Sequence, residues 1–305
     1  MATIFLYPIK SIGGTTIDET HVGDEGITGD RQFGFLDLET GNLCNAKNPR
    51  KYGSMLACRA AYVDPPSPGR ELPLLEVAFP DGTRARNVGT DLDEAMSGYL
   101  GRRVALVSSV PEGAKTEIVW MRSTGIAKES VYADAVEDEH GDHVATYEPR
   151  GTNTFFDLTP LHLVTTSTIR HLREIDPSAA FDARRYRPTM LIDTVAEGFV
   201  EDGWVGDEVR IGPAAVAGIR MSTPRCVMST LAHAPDVPLD RGTLRTIARA
   251  NTKDVPGFGR WACAGVYADV ARHGPVRVGD PVHHRPAGPA PAGPVPTTRD
   301  RSNPT

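Results

Sequence analysis

Residues that could do chemistry in this chain fall into two kinds: one thiol beside a guanidinium, and short runs that set lysine or arginine among hydroxyls and glycines. Cys226 closes the run Ser222-Thr223-Pro224-Arg225-Cys226. A guanidinium that converges on a thiol lowers its pKa and favours the thiolate, which is both nucleophile and metal ligand. The alternative for a lone cysteine is a small buried hydrophobe. Tyr7-Pro8-Ile9-Lys10-Ser11-Ile12-Gly13-Gly14 places a lysine, a hydroxyl and exposable backbone N–H groups just past a strand. Such a loop suits an anion, although Walker spacing is absent and a β-turn with a solvated lysine fits as well. Asp30-Arg31 and Arg184-Arg185-Tyr186-Arg187 offer guanidinium forks for phosphate or carboxylate, or else surface ion pairs worth under about 1 kcal/mol. In Asp157-Leu158-Thr159-Pro160 the Thr159 hydroxyl could donate to a phosphate, and the hydroxyls of Thr165 to Thr168 read as helix caps. The histidines show no metal spacing, and no G-x-S-x-G elbow is present.

The elements that must position these groups read mainly as β. Thr3 to Leu6, Gln32 to Leu38, Leu74 to Phe79 and Val104 to Ser108 are short apolar segments bounded by Gly, Pro, Asp and Asn. The Glu39-Thr40-Gly41-Asn42 turn joins two of them as an antiparallel hairpin, Phe33 to Leu38 with Leu43 to Ala46. Asp91 to Leu100 carries the apolar spacing of a short amphipathic helix capped by Asp91. Further helices are expected over about Thr166 to Ile175 and Thr243 to Ala250. Residues from Gly125 to Thr154 are polar and acidic, a linker or a flap over a site. The Pro/Ala/Gly-rich end after His283 cannot build a core.

The 305 residues are 40% hydrophobic and 24% charged, with net charge -6, which gives a chain able to bury a core and no nucleic-acid footprint. Cys44, Cys58, Cys226 and Cys263 lie far apart with no C-x-x-C pair, so neither a zinc ribbon nor a disulfide framework is expected. No apolar run approaches the roughly 20 residues of a membrane span, and the start lacks a secretory pattern. The expectation is a cytoplasmic protein with reduced thiols.

Taken in order, Tyr7-Pro8-Ile9-Lys10-Ser11, Gly29-Asp30-Arg31, Arg187-Pro188-Thr189-Met190, Glu201-Asp202-Gly203-Trp204, Val209-Arg210-Ile211-Gly212, Pro224-Arg225-Cys226 and Val278-Gly279-Asp280-Pro281-Val282 resemble the MOSC family. The resemblance runs from residue 3 to about 283. It implies a mainly β (α+β) fold: an N-terminal β-barrel-like domain over 1–120, a MOSC β-barrel domain with a few short helices over 121–285, and a disordered tail over 286–305. It further implies a molybdenum cofactor and reduction of N-hydroxylated substrates. Cys226 becomes the metal ligand and a catalytic residue, with Asp157 as a proton-handling residue beside it. Lys10, Ser11, Arg31, Thr159, Arg187, Arg225 and Cys226 become the cofactor-binding set. After Arg187-Pro188 the family usually has asparagine where this chain has Thr189, and Leu231 to Asp236 replaces an Asp-Pro-Asp-x-x-Gly stretch. No plant-type cluster spacing follows the MOSC region. Electrons for a small-molecule substrate would therefore come from a separate reductase, ferredoxin or cytochrome b5-like protein. The alternative within the wider family is a sulfur carrier that uses a persulfide on Cys226.

Overall fold

The computed structural model describes residues 1–120, 135–149, 154–233 and 236–286. The first half runs β1 (Thr3–Leu6), β2 (Thr15–Ile17), β3 (Glu19–Gly23), β4 (Gly26–Ile27), β5 (Gly34–Asp37), α1 (Pro49–Tyr52), β6 (Arg59–Tyr62), β7 (Leu75–Ala78), β8 (Arg84–Arg86), α2 (Asp91–Leu100), β9 (Val104–Val107) and β10 (Thr116–Trp120). The second continues with β11 (Val136–Glu137), β12 (His143–Tyr147), β13 (Leu161–Thr165), α3 (Thr166–Ile175), β14 (Met190–Ile192), β15 (Glu208–Ile211) and β16 (Ala215–Pro224). It ends with α4 (Gly242–Ala250), β17 (Thr252–Val255), β18 (Gly259–Arg272), β19 (Gly274–Arg277) and β20 (Val282–Arg285).

The fold is mainly β with four short helices, as expected. Barrel closure is not seen among the described residues. The large sheet has nine strands in the open order β2-β1-β14-β13-β18-β16-β15-β20, with β17 paired to β18. Its core gathers Ile4, Leu163, Met190, Val209, Ile219 and Val266. A second core under the smaller sheets gathers Ile9, Phe35, Tyr52, Leu75, Val77 and Met96.

Two central strands set up the site. All five residues of β13, Leu-His-Leu-Val-Thr, are buried, the pattern of a strand covered on both faces. It runs parallel to β14 and antiparallel to β18. Strand β16 slips register against β18 at three places, the last between Ser222 and Pro224. A bulge bends and re-aims the chain, and proline cannot donate to the ladder. The sheet therefore releases the chain immediately before Cys226.

The helix Asp91–Leu100 forms over the expected residues, but its N-cap is Thr90. Asp91 instead accepts from the Arg86 amide at 2.7 Å. Helix α3 is capped by Thr165, whose hydroxyl accepts from Thr168 N, and α4 starts one residue earlier than the periodicity suggests. The expected hairpin is reduced to a Leu36–Leu43 bridge, with β5 pairing along its length with β9. Asp37 draws the turn inward, accepting from Glu39 and Thr40 amides and from the Tyr52 hydroxyl at 2.7 Å. Of the stretch expected as a linker or flap, residues 135–149 supply β11 and β12 in a sheet ordered β10-β12-β11, and residues 125–134 and 150–153 lie outside the described residues. The Pro-rich tail beyond 286 lies outside the described residues.

Candidate functional site

Among the described residues, the non-glycine positions with positive φ are Ser11 at 62°, Arg31 at 50° and Arg187 at 51°. A left-handed backbone costs an L-residue on the order of 1–3 kcal/mol and persists where the surroundings over-determine it. All three belong to the set expected to bind a cofactor. Arg31 is held by Arg31 N donating to Tyr7 O at 2.7 Å and Phe155 N donating to Arg31 O at 2.9 Å. Arg187 closes the short turn Ala183–Tyr186, its amide donating to Arg184 O at 3.1 Å. The Ser11 hydroxyl accepts from Ala46 N at 3.1 Å and donates to Asn45 Oδ1 at 3.4 Å, which ties it to the loop after Leu43.

That loop carries Lys47, a residue with no motif to announce it. Lys47 Nζ meets Asp157 Oδ2 at 3.0 Å and the Tyr147 hydroxyl at 3.1 Å, while Lys10 Nζ meets Asp157 Oδ1 at 2.8 Å and Phe155 O at 3.1 Å. Side-chain exposures of 9% for Lys10, 14% for Lys47 and 29% for Asp157 put these charges out of bulk water. Burial alone would raise the Asp157 pKa, but the two ammonium groups outweigh it and hold the carboxyl well below its usual range. Asp157 is thus an ionised acceptor with both oxygens occupied. Burial works against the Lys47 charge, and Asp157, the tyrosines and Cys226 together more than restore it.

The arginines meet around Tyr7 and His162. Arg31 pairs with Asp30 and donates through Nη2 to Arg187 O at 2.9 Å. The Tyr7 ring lies 5.1 Å from the Arg31 guanidinium carbon and 4.3 Å from that of Arg187, within cation–π range of both. Arg187 Nη1 donates to Ile12 O at 2.5 Å, whereas Arg187 Nη2 and the Tyr7 hydroxyl are buried without a hydrogen-bond partner. Burial, with Arg31 beside it, pushes the Arg187 pKa down to about 10. Such orphaned donors fit an acceptor brought from outside the chain, since a buried unpaired polar group costs about 1–3 kcal/mol.

Arg225 faces inward. Its Nη2 donates to His162 Nε2 at 2.6 Å, its Nη1 to Tyr186 O at 3.1 Å and its Nε to Thr223 O at 3.4 Å. Because arginine only donates, His162 Nε2 must be the bare nitrogen. His162 Nδ1–H then points to Arg187 O at 3.4 Å. Burial and the Arg225 charge hold the His162 pKa well below the ordinary value, which agrees with a neutral ring. Thr189 explains itself here: its hydroxyl accepts from His162 N at 2.6 Å and donates to His162 O at 2.9 Å, bracing the strand rather than facing a ligand. Thr159 likewise donates to Leu161 O at 2.8 Å, so its hydroxyl serves the local turn.

Cys226 is half-buried and opens the turn Val227–Thr230, with Ser229 donating to Cys226 O through its amide and its hydroxyl. The other cysteines are buried, and desolvation pushes the thiols of Cys44, Cys58 and Cys263 each up to about 12. Cys226 packs against Ala46, Leu56 and Met228. Ala46 belongs to that cluster and donates its amide to the Ser11 hydroxyl, so the loop that meets Ser11 also borders the cysteine. Lys10, Lys47 and Asp157 form one charge cluster and Arg31 and Arg187 another beside it, Cys226 lies within electrostatic reach of Lys47, and Arg225 joins through His162. A groove of about 410 Å³ lined by Arg173, Phe181, Asp182 and Asp236 contains none of them. Among the described residues no cluster of three His, Cys, Asp or Glu side chains could hold a bare metal ion, and no helix is long and apolar enough to cross a membrane.

Residues 1–85 match the MOSC N-terminal beta barrel domain and residues 150–283 the MOSC domain. This is a MOSC-domain chain. It is 22% identical to mitochondrial amidoxime reducing component 2 of Rattus norvegicus over 93% of this chain and 82% of that protein. Mitochondrial amidoxime-reducing component 1 of Mus musculus is 23% identical over 93% and 81%. A shorter stretch, 42% of this chain and 37% of the relative, is 30% identical to component 2 of Macaca fascicularis. The MOSC match holds Asp157, Arg187 and Cys226, and the N-terminal match holds Lys10, Arg31 and Lys47. Lys47 and His162 are the contributors that local sequence did not single out.

Proposed function

We propose that this chain is an oxidoreductase that carries a molybdenum cofactor on Cys226 and reduces N-hydroxylated compounds with electrons from a separate protein. The observation that carries the reading is the pairing of one half-exposed thiol with buried, unpartnered donors, Arg187 Nη2 and the Tyr7 hydroxyl, in a region where Lys10, Lys47, Arg31 and Arg187 outnumber Asp30 and Asp157. A pterin carrying a phosphate brings the acceptors and negative charge that this donor set lacks. Distant similarity to amidoxime reducing components adds the substrate class.

The bound cofactor would supply a metal able to accept an oxygen atom and exchange two electrons. The chain's own part is binding and orientation. Arg187 and Tyr7 would donate to the cofactor, while Arg31 supports them through the Arg187 carbonyl. Lys10 and Lys47 keep Asp157 ionised as a counter-charge. Lys47 brings a positive charge near Cys226, on the side of the site that would face the cofactor's negative charge. Residues 1–120 and 121–285 are the two proposed domains, with a tail over 286–305.

The test is molybdenum and phosphate content of protein made in a cofactor-producing host, wild type beside Cys226→Ala, followed by amidoxime turnover with a chemical reductant. Near-stoichiometric metal in the wild type and its loss in the variant is the expected result. A wild type with neither metal nor pterin, but with sulfur added to Cys226 after incubation with a desulfurase, would replace this reading with the sulfur carrier.

A further inference from the structure

We infer that His162 is the positioning residue of the Cys226 loop and acts on it through Arg225. His162 is the second residue of β13, a strand buried along its whole length, where a polar ring is costly unless each nitrogen is satisfied. Both nitrogens are engaged, and each serves a different part of the site. Nε2 takes the 2.6 Å bond from Arg225, the residue preceding the cysteine, and Nδ1–H reaches the Arg187 carbonyl that also accepts from Arg31. His162 is thus the junction of three arginines that lie far apart in sequence.

The surroundings hold the ring in place. Thr189 clamps the His162 backbone through both its N–H and its carbonyl. Tyr267 packs on the imidazole at 5.3 Å between centroids. Gly265 leaves the space: a Cβ there would lie 2.8 Å from His162 Nε2 and 2.7 Å from Leu163 O. Arg225 N donates to Ala262 O at 2.8 Å, and the far end of the turn is tied separately, by the Thr243 hydroxyl to Ser229 O at 3.1 Å and by Asp240 N to Thr230 O at 2.8 Å. At the cysteine's own end, the Arg225 guanidinium, anchored to His162, Tyr186 O and Thr223 O, is the side-chain tie that joins this backbone bond in fastening the start of the loop to the sheet.

The inference rests on Cys226 being the working thiol, yet its test reads the loop without any cofactor. In native protein Cys226 is the half-exposed thiol and the other cysteines are buried, so iodoacetamide alkylation followed by peptide mass spectrometry reports Cys226 alone. Two polar variants separate the nitrogens: His162→Gln keeps an acceptor where Nε2 stood, and His162→Asn reaches only as far as Nδ1. The expected result is about a tenfold faster Cys226 alkylation in His162→Asn, near wild-type rate in His162→Gln, and no further acceleration when His162→Asn is combined with Arg225→Leu. Equal rates in both His162 variants, or effects that multiply in the double variant, would overturn it. A thermal melt on each variant separates loop loosening from global loss of structure.

Discussion

Asp157 illustrates how strongly one residue's role depends on what surrounds it. A carboxylate flanked by lysines from two different loops is a counter-ion, and removing its charge leaves Lys10 and Lys47 desolvated and repelling. Breaking a buried pair costs about 3–5 kcal/mol, and partial exposure of Asp157 lowers the expectation for Asp157→Asn to roughly 2 kcal/mol by urea unfolding at pH 7. An unchanged urea midpoint would show that these charges are solvated. The histidines set a pH dependence with the opposite chemistry but the same direction. Burial pushes His233 down to about 4 and holds His162 low as well. An unfolded histidine titrates near 6.5, so between the two values the unfolded chain binds protons that the native chain refuses. Stability is then complete above about pH 6.5 and falls on acidification, by about 2 kcal/mol at pH 5 from His233 alone. Urea midpoints at pH 7 and pH 5 check the sign, and an equal or higher midpoint at pH 5 contradicts it.

Elements were legible where a local rule governs them. The apolar spacing of Asp91 to Leu100 and the short apolar segment Thr3 to Leu6 are local signals, and both became the expected structure. The hairpin after Phe33 was legible in part: Asp37 N–Asn42 O and Cys44 N–Phe35 O join its two arms around the Leu36–Leu43 bridge, but the full ladder of β5 runs with β9, a partner distant in sequence. Site residues divide in the same way. Cys226, Lys10, Arg31 and Arg187 sit in short motifs, whereas Lys47 has meaning only beside Asp157, which the chain brings to it from the other half. His162 left a trace that could have been read: it is the polar member of a run buried on both faces. The antiparallel pairing of β13 with β18 gives His162 an element-scale prediction. Gly265 has φ of +79°, and a methyl there meets Leu163 O, Val164 Cγ2 and His162 Nε2, all within 2.8 Å. Gly265→Ala should cost about 2 kcal/mol or more and accelerate Cys226 alkylation by displacing His162. A variant as stable as wild type with an unaltered alkylation rate would mean that the two strands have room to separate.

At the scale of the whole molecule, the two halves share sheets as well as the site. Strand β1 lies between β2 and β14 in the large sheet, and β3 pairs with β19 near the far end of the described chain. The first half contributes Lys10, Arg31 and Lys47 to the charge cluster, and the second contributes Asp157 and the Arg187 carbonyl that Arg31 binds. If either half unfolded alone, a strand edge of the other would lose its partner and buried cations would lose their counter-charge, penalties that a local opening cannot avoid. One cooperative transition is the consequence. The cysteines provide probes in both halves, because Cys44 and Cys58 are fully buried in the small-sheet core and Cys263 is fully buried in β18. Pulsed alkylation across a urea gradient should give the same midpoint for all three thiols. Labelling of Cys44 and Cys58 at urea concentrations where Cys263 stays protected would show instead that the N-terminal half opens by itself, and that the lysine–Asp157 bridge does not couple the halves.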